Sequence, residues 1–204
     1  GRFLFTNFFI NYFQDKNLEL NAYELFNKEL NTFKNFLPRK INNILDIGCG
    51  LGIINILLKK IFSDEINFYL LDKSRIDSKI KYGFSSNYES YNDLKETKNI
   101  FLNNNINIDN IYIFDVEKDF QINKKIDLVI SLKSMGYHYP LDSYLDMLKK
   151  CCNEDTYFIF DVGESQFDEV YLKSIFDEVQ ILHEEKTNNI LRRLLCKKFK
   201  LKTN

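Results

Sequence analysis

From Pro38 onward the chain alternates short apolar runs with segments of helical periodicity, and this alternation most constrains its fold. Strands that each return through a helix form right-handed crossovers, so they build a parallel sheet with helices on both faces. Two last apolar runs, separated by the polar turn Lys186–Asn189, predict an antiparallel pair at one edge. The predicted strands are Ile44–Ile47, Phe68–Leu71, Ile111–Phe114, Ile126–Ser131, Tyr157–Asp161, Val179–Leu182 and Ile190–Cys196.

The first 38 residues precede this pattern. From Leu18 to Leu37 apolar residues recur at helical spacing, and Pro38 ends the helix. We therefore divide the chain into an N-terminal helical extension, residues 1–38, and a main domain, residues 39–204. The extension either packs on the core or covers a pocket as a lid. The predicted fold class is α/β, a doubly wound, mostly parallel seven-stranded sheet with an antiparallel edge strand.

Composition and charge exclude several classes of protein. The 204 residues suffice for one domain with its own core. Lys and Arg (28) balance Asp and Glu (29), which argues against a protein that coats nucleic acid. The four cysteines lack metal-ligand spacing, and no apolar run reaches the ~20 residues that a membrane-spanning helix needs. We expect a cytoplasmic protein without a metal or a membrane partner, and we make no prediction of its oligomeric state.

A basic stretch closes the chain. We interpret it as the solvated face of the last strand and a loose tail; the alternative is a contact with phosphate or nucleic acid. The near-neutral net charge favours the first interpretation. Its residues are Arg192, Arg193, Lys197, Lys198, Lys200 and Lys202.

A glycine cluster lies between the first predicted strand and the helix after it. The chain has seven glycines, and three of them, Gly48, Gly50 and Gly52, lie within five positions. Such a turn lets a ligand touch the main chain, and the helix start offers free N–H donors. The spacing GxGxG differs from the dinucleotide fingerprint GxGxxG. Asp46, two residues before the first glycine, suits a ligand with a cationic ammonium end.

The run Leu45–Gly52 resembles the first motif of the class I (Rossmann-like) S-adenosylmethionine-dependent methyltransferases. In that family a second acid follows the second strand and binds the ribose hydroxyls, and a third follows the third strand near the adenine amino group. Asp72 and Asp115 stand at these positions. The resemblance spans about residues 40–200 and implies S-adenosyl-L-methionine as cofactor, with S-adenosyl-L-homocysteine as product. The implied cofactor-binding residues are Asp46, Gly48, Cys49, Gly50, Gly52, Asp72, Lys73, Asp115, Val116 and Ser131.

The loop Ser131–Pro140 is the candidate catalytic loop, because ligands bind outside the carboxyl ends of the strands in such sheets. Methyl transfer to a hydroxyl needs alignment of the acceptor and a base for its proton. His138 is either that base or a loop histidine bonded to the backbone. Tyr137, Tyr139 and Lys133 are candidates to orient the acceptor.

An aromatic, serine-rich segment lies between the second and third strands, which are farther apart than a simple crossover needs. It contains Tyr82, Phe84 and Tyr88, which we predict to bind substrate. The alternative is a surface loop with its aromatic side chains packed beneath it.

Several acceptor classes can be disfavoured by missing motifs. Ser131–Ser134 has no Pro-Pro motif of the enzymes that methylate base amino groups, no metal-binding Asp of catechol-type enzymes, and no Pro-Cys of cytosine-C5 enzymes. The loop resembles that of bacterial sugar O-methyltransferases, so the first candidate acceptor is a hydroxyl of a sugar or surface-glycan precursor. The alternatives are N- or carboxyl-methylation of a small metabolite, methylation of RNA or protein, and a non-catalytic binding module.

Overall fold

The fold centres on one seven-stranded sheet. A computed structural model describes residues 16–62, 65–76, 91–186 and 190–201. The strand order is β3-β2-β1-β4-β5-β7-β6. In chain order the strands are β1 (Asn43–Ile47), β2 (Asn67–Asp72), β3 (Ile111–Asp115), β4 (Leu128–Ser131), β5 (Tyr157–Gly163), β6 (Phe176–Lys186) and β7 (Ile190–Phe199).

Six of the strands run in one direction. β1 pairs in parallel with β2 and with β4, so Asp46 has Leu70 on one side and Ile130 on the other. β2–β3 and β4–β5 are also parallel pairs. β7 runs antiparallel to both β5 and β6 and lies between them. The predicted α/β fold, Rossmann-like and doubly wound with an antiparallel strand at one side, is confirmed.

Helices connect the strands. α1 (Lys16–Asn31) precedes the sheet, α2 (Ile53–Ile61) follows β1, and α3 (Leu94–Asn103) precedes β3. α4 (Asp142–Cys151) and α5 (Glu169–Ile175) follow β4 and β5. Short 3-10 turns cover residues 34–36, 108–110 and 164–166, and a two-residue ladder pairs 75–76 with 91–92. Among the described residues, every helix is too short or too polar to span a bilayer.

The core has two parts, one on each face of the sheet. Leu45 and Ile47 of β1 pack on the face that α4 and α5 cover, whereas Ile44 packs on the face of α2 and α3. This alternation explains why the strands read as continuous apolar runs, since both faces are buried. Leu30 and Phe33, at the end of α1 and just after it, belong to the second core, so this part of the extension packs on the main domain.

Two predicted boundaries shift for physical reasons. β4 begins at Leu128 rather than at Ile126, because the Ile126 amide donates outside the ladder, to the Cys151 carbonyl over 2.8 Å. β6 begins at Phe176 and is longer than the predicted Val179–Leu182, because its antiparallel pairing with β7 continues from Phe176 to Lys186.

Candidate functional site

The loop after β1 crosses the end of β2. The amides of Gly48 and Cys49 both donate to the carbonyl oxygen of Leu71, over 2.7 and 3.3 Å. Gly50 has a φ of 53°, and among the described residues no atom lies within 4 Å of the place where its Cβ would stand. The main chain at Gly50 therefore borders open space at the carboxyl edge of the sheet, which is a cradle that a ligand can enter.

Asp72 closes this loop from the end of β2. Its Oδ2 accepts the amide of Gly50 over 2.7 Å, and its Oδ1 accepts the amide of Lys73 over 2.7 Å. A carboxylate accepts hydrogen bonds through both of its oxygens, which is the chemistry that a vicinal diol requires of its partner. Thr97 of α3 donates to the Gly50 carbonyl over 2.8 Å and fixes the loop from the other side.

Asp46 and Asn55 form a buried polar pair beneath the loop. Asp46 is 5% exposed, and Asn55 Nδ2 donates to its Oδ2 over 2.5 Å. Burial raises the pKa of Asp46 to about 7; the bond from Asn55 opposes this shift, and the charge of Asp72 adds to it. The Asn55 carbonyl oxygen is buried and has no hydrogen-bond partner among the described residues. An acid and an unpaired carbonyl together suit a ligand with a cationic N–H donor.

Cys49 is buried in the same loop. Burial, followed by the charges of Asp46 and Asp72, raises the pKa of its thiol well above the ordinary value. The side chain is therefore a neutral thiol at physiological pH and not a nucleophile.

Asp115 lies beside Asp72, its register partner on β2. Its Oδ1 accepts the amide of Glu117 over 3.1 Å and its Oδ2 is 3.5 Å from Lys118 Nζ, so the carboxylate shapes the turn after β3. The amide of Val116 donates to the Asp72 carbonyl over 3.0 Å, and its side chain is 40% exposed. The structure therefore brings together, at one edge of the sheet, the acids that end β2 and β3.

Lys73 is held near this edge by an ion pair. Its Nζ lies 2.7 Å from a Glu117 carboxylate oxygen. This places its ammonium group at the turn after β3.

Ser131 is held inside the protein rather than at the opening. It is fully buried, its hydroxyl donates to the Ile47 carbonyl over 2.7 Å, and it accepts the amide of Met135 over 2.8 Å. The side chain joins the ends of β1 and β4 and shapes the loop after β4. Its direct contact with a cofactor stays a prediction.

Lys133 adopts an unusual backbone conformation. Its φ is 59°, and its amide donates to Asp161 Oδ2 over 3.1 Å. Its Nζ lies 3.4 Å from Glu29 and 3.8 Å from Glu185. The ammonium group is thus engaged with carboxylates of α1 and β6.

The next residue seats this loop on the glycine loop. Ser134 lies so close to Gly48 that a Cβ on Gly48 would collide with its side chain. The glycine is required here because two loops meet.

The half-buried residues Tyr137, His138 and Tyr139 form a tight turn. All three amides point to the Ser134 carbonyl, over 3.1, 2.7 and 3.2 Å. The rings of Tyr137 and His138 meet edge to face with centroids 4.7 Å apart. Tyr82, Phe84 and Tyr88 lie outside the described residues.

Two residues near the site were not predicted from the sequence. Asn55 reads as an ordinary helix residue, but its place in the first turn of α2 lets its side-chain amide donate to Asp46. Tyr144 of α4 is partly buried; burial, followed by the charges of Tyr139 and Asp72, raises its pKa to about 12. Its position in the first turn of the helix that follows the candidate loop is the signal that could have identified it.

A metal centre is not evident in the described part of the chain, where no group of three or more His, Cys, Asp or Glu side chains is arranged to hold an ion.

Known proteins resemble the chain in sequence pattern and in fold. Residues 12–192 match the family described as "Methyltransferase domain". No curated protein matches the sequence significantly.

Solved structures share the fold at low identity. The ribosomal protein L11 methylase from Lactobacillus delbrueckii subsp. bulgaricus matches at 17% identity and a TM-score of 0.53, over 78% of this chain and 72% of that chain. The StiE O-MT matches at 13% and 0.58, over 92% and 79%. The N-terminal domain of EvdMO1, solved with SAH bound, matches at 12% and 0.54, over 87% and 80%. Some other matching structures are longer, and the chain covers between 58% and 21% of them.

Proposed function

This chain belongs to the methyltransferase-domain family, and we propose that it moves a methyl group from S-adenosylmethionine to a hydroxyl of a small polar acceptor. The enzyme is a class I methyltransferase, with S-adenosylmethionine as donor and S-adenosylhomocysteine as product. The acceptor we propose is a sugar or a surface-glycan precursor. The observation that best supports the donor site is the hydrogen bond from the Gly50 amide to Asp72, which lies beside open space at the edge of the sheet.

The residues at this edge fit the parts of the donor. The Asp72 carboxylate stands at the end of β2, and a carboxylate can accept from the two ribose hydroxyls together. The ammonium group of the donor needs hydrogen-bond acceptors. Asp46 and the Oδ1 atom of Asn55, which has no partner among the described residues, can supply them directly or through water. Asp115 and the backbone of Val116 lie at the end of the neighbouring strand β3, where we place the adenine ring. These assignments are proposals for each residue.

The loop after β4 is the proposed acceptor side. S-adenosylmethionine supplies an electrophilic methyl group on a sulfonium centre. The acceptor oxygen forms a bond to the methyl carbon as the carbon–sulfur bond breaks, and the electron pair of that bond stays on sulfur. His138 takes the proton that the hydroxyl loses, while Tyr137 and Tyr139 orient the acceptor.

A hydroxyl acceptor is supported by the side chains of this turn. Tyrosine and histidine offer ring faces and polar tips together, which suits the alternating apolar and hydroxyl surface of a sugar. An acceptor carrying many phosphates is less well matched, since the Lys133 ammonium is engaged by Glu29 and Glu185. The extension, residues 1–38, is proposed to border the acceptor side through the end of α1.

Turnover with a panel of acceptors tests this function. The protein is incubated with S-adenosylmethionine and, in separate reactions, with free sugars, nucleotide sugars, amines, carboxylic acids and RNA. Release of S-adenosylhomocysteine and the mass of the acceptor are measured. We expect a gain of one methyl group on a sugar hydroxyl. Methylation confined to amines, carboxylates or RNA would overturn the acceptor proposal while leaving the donor in place.

A further inference from the structure

Arg193 is buried, against our interpretation of the basic stretch as solvated. It is 2% exposed, and it lies directly opposite Asp161 in the β5–β7 ladder. Arg193 Nε donates to Asp161 Oδ1 over 2.8 Å, and Nη2 donates to Oδ2 over 2.9 Å. This is a two-pronged pair between a guanidinium and a fully buried carboxylate.

The remaining nitrogen of Arg193 binds the end of α1. Nη1 donates to the Glu29 carbonyl over 3.2 Å and to the Thr32 hydroxyl over 2.7 Å, and it lies 2.7 Å from Glu29 Oε2. The guanidinium carbon also lies over the Phe33 ring, 5.7 Å from its centroid. One side chain of β7 therefore docks the last turn of α1 and the residues that follow it.

Asp161 extends the same network to the acceptor side. Its Oδ2 accepts the Lys133 amide over 3.1 Å as well as Arg193 Nη2. Lys133 holds a left-handed φ of 59°, a conformation that costs an L-residue energy and persists where the surroundings enforce it. The next residue is Ser134, which contacts the glycine loop at Gly48. Asp161 is thus connected to the glycine loop by its bond to the Lys133 amide and by the contact of Ser134 with Gly48.

Stability alone does not account for such a pair. Burial raises the pKa of Asp161, and the hydrogen bonds and charge of Arg193 oppose that shift, so the arginine favours the charged carboxylate. A buried ion pair is often no more stabilising than apolar residues of similar volume. The pair instead fixes the relative positions of β5, α1 and the loop after β4, because its hydrogen bonds to these elements have defined angles.

We propose that Arg193 is a positioning residue for methyl transfer. Together with Asp161, it fixes the loop after β4 and the end of α1 in one arrangement relative to the glycine loop. The inference rests on the proposed function. Arg193 touches neither donor nor acceptor; it acts through Lys133 on the turn at His138 and through Glu29 and Thr32 on α1.

The test compares Arg193→Met with Arg192→Met. Methionine keeps the length and apolar character of the stem but donates no hydrogen bond. Arg192 is the matched control, because it lies next to Arg193 on the other face of β7 and pairs with Glu184. S-adenosylhomocysteine affinity is measured by calorimetry, turnover by kcat and KM, and amide exchange at residues 133–139 and 23–32 by mass spectrometry.

We expect Arg193→Met to bind S-adenosylhomocysteine with wild-type affinity and to lose roughly 100-fold in kcat, the size that a misplacement of about 1 Å costs. Amide exchange should accelerate in both segments and stay unchanged in α2. Wild-type kcat in this variant would overturn the proposal. So would a parallel loss of cofactor affinity and kcat, since that is the result of general destabilisation.

A milder variant keeps the test open if Arg193→Met does not fold. Thr32→Val with Glu29→Gln weakens the ties to α1 and leaves the Arg193–Asp161 pair in place. We expect faster exchange in residues 23–32, a raised acceptor KM and unchanged cofactor affinity; unchanged exchange and KM would contradict the proposal. Absence of turnover in the wild type would instead be a failure of the proposed function, and the exchange measurement needs no acceptor.

Discussion

The Gly50 amide donates to Asp72 Oδ2 over 2.7 Å, which joins the loop after β1 to the end of β2. The bond holds a flexible glycine turn in one shape at the carboxyl edge of the sheet. The residues of the proposed donor site can be tested separately.

Gly50 and Gly52 differ in what an added methyl group would meet. At Gly50 the space is open, so Gly50→Ala should fold at a cost of about 1–2 kcal/mol for its left-handed conformation. Its Cβ would occupy ligand space, and S-adenosylhomocysteine should bind roughly tenfold more weakly, about 1.4 kcal/mol.

Gly52→Ala is the partner variant, since its Cβ would collide with the buried Phe101 ring. Overpacking of this kind lowers the free energy of unfolding by about 1–3 kcal/mol. Urea unfolding measures the stability of both variants, and calorimetry measures their affinity for S-adenosylhomocysteine. If Gly50→Ala bound the ligand like the wild type, the open space beside Gly50 would not be the ligand site.

The raised pKa of Asp46 predicts that the difference in stability between the wild type and Asp46→Asn depends on pH. Its folded pKa is raised from 3.8 to about 7, so the folded state holds the proton more tightly than the unfolded chain. The wild type should lose stability from this group as pH rises from about 4 to about 7, with no further loss above. Asp46→Asn does not titrate. Its stability relative to the wild type should therefore rise across that window, by up to about 1.4 kcal/mol per pH unit.

Urea unfolding at several pH values measures this difference. Asp155→Asn is the matched control, because Asp155 is exposed in the turn before β5. A relative stability of Asp46→Asn that stays flat or falls between pH 4 and pH 7 would contradict a buried, proton-binding Asp46.

His138 is expected to act as the base. His138→Ala should lower kcat by roughly 100-fold at pH 7, within the range that general base catalysis supplies. His183→Ala is the control, since the second histidine is exposed on β6. Near wild-type turnover of His138→Ala across pH 6–9 would leave this histidine a structural role.

The sequence predicts the sheet well because the pattern that defines each strand is local. β1 and β4 are apolar on both faces, and the glycine cluster stands between a strand and a helix, so the alternation predicts the glycine loop at the end of β1. The place of Asp72 beside this loop required the resemblance. The strand order and the antiparallel place of β7 required the resemblance or the structure.

The sequence could not predict contacts between distant residues. Arg193 reads as one of six basic residues near the end of the chain, and its burial depends on Asp161 and Glu29, which are 32 and 164 positions away. The sequence likewise does not show that the Ser131 hydroxyl bonds to Ile47 and Met135, and the contact of Ser131 with the cofactor stays a prediction. The partners of such polar residues are known only from the structure.

A calorimetric titration with S-adenosylhomocysteine tests the central claim most directly, using the wild type, Asp72→Ala and the exposed control Asp155→Ala. We predict one saturable site in the wild type and in the control. Asp72→Ala, with the fold verified by circular dichroism, should bind at least roughly tenfold more weakly, because hydrogen bonds to a charged group contribute about 1.5–3 kcal/mol. No binding by the wild type, or equal binding by Asp72→Ala, would contradict a donor site at this edge of the sheet.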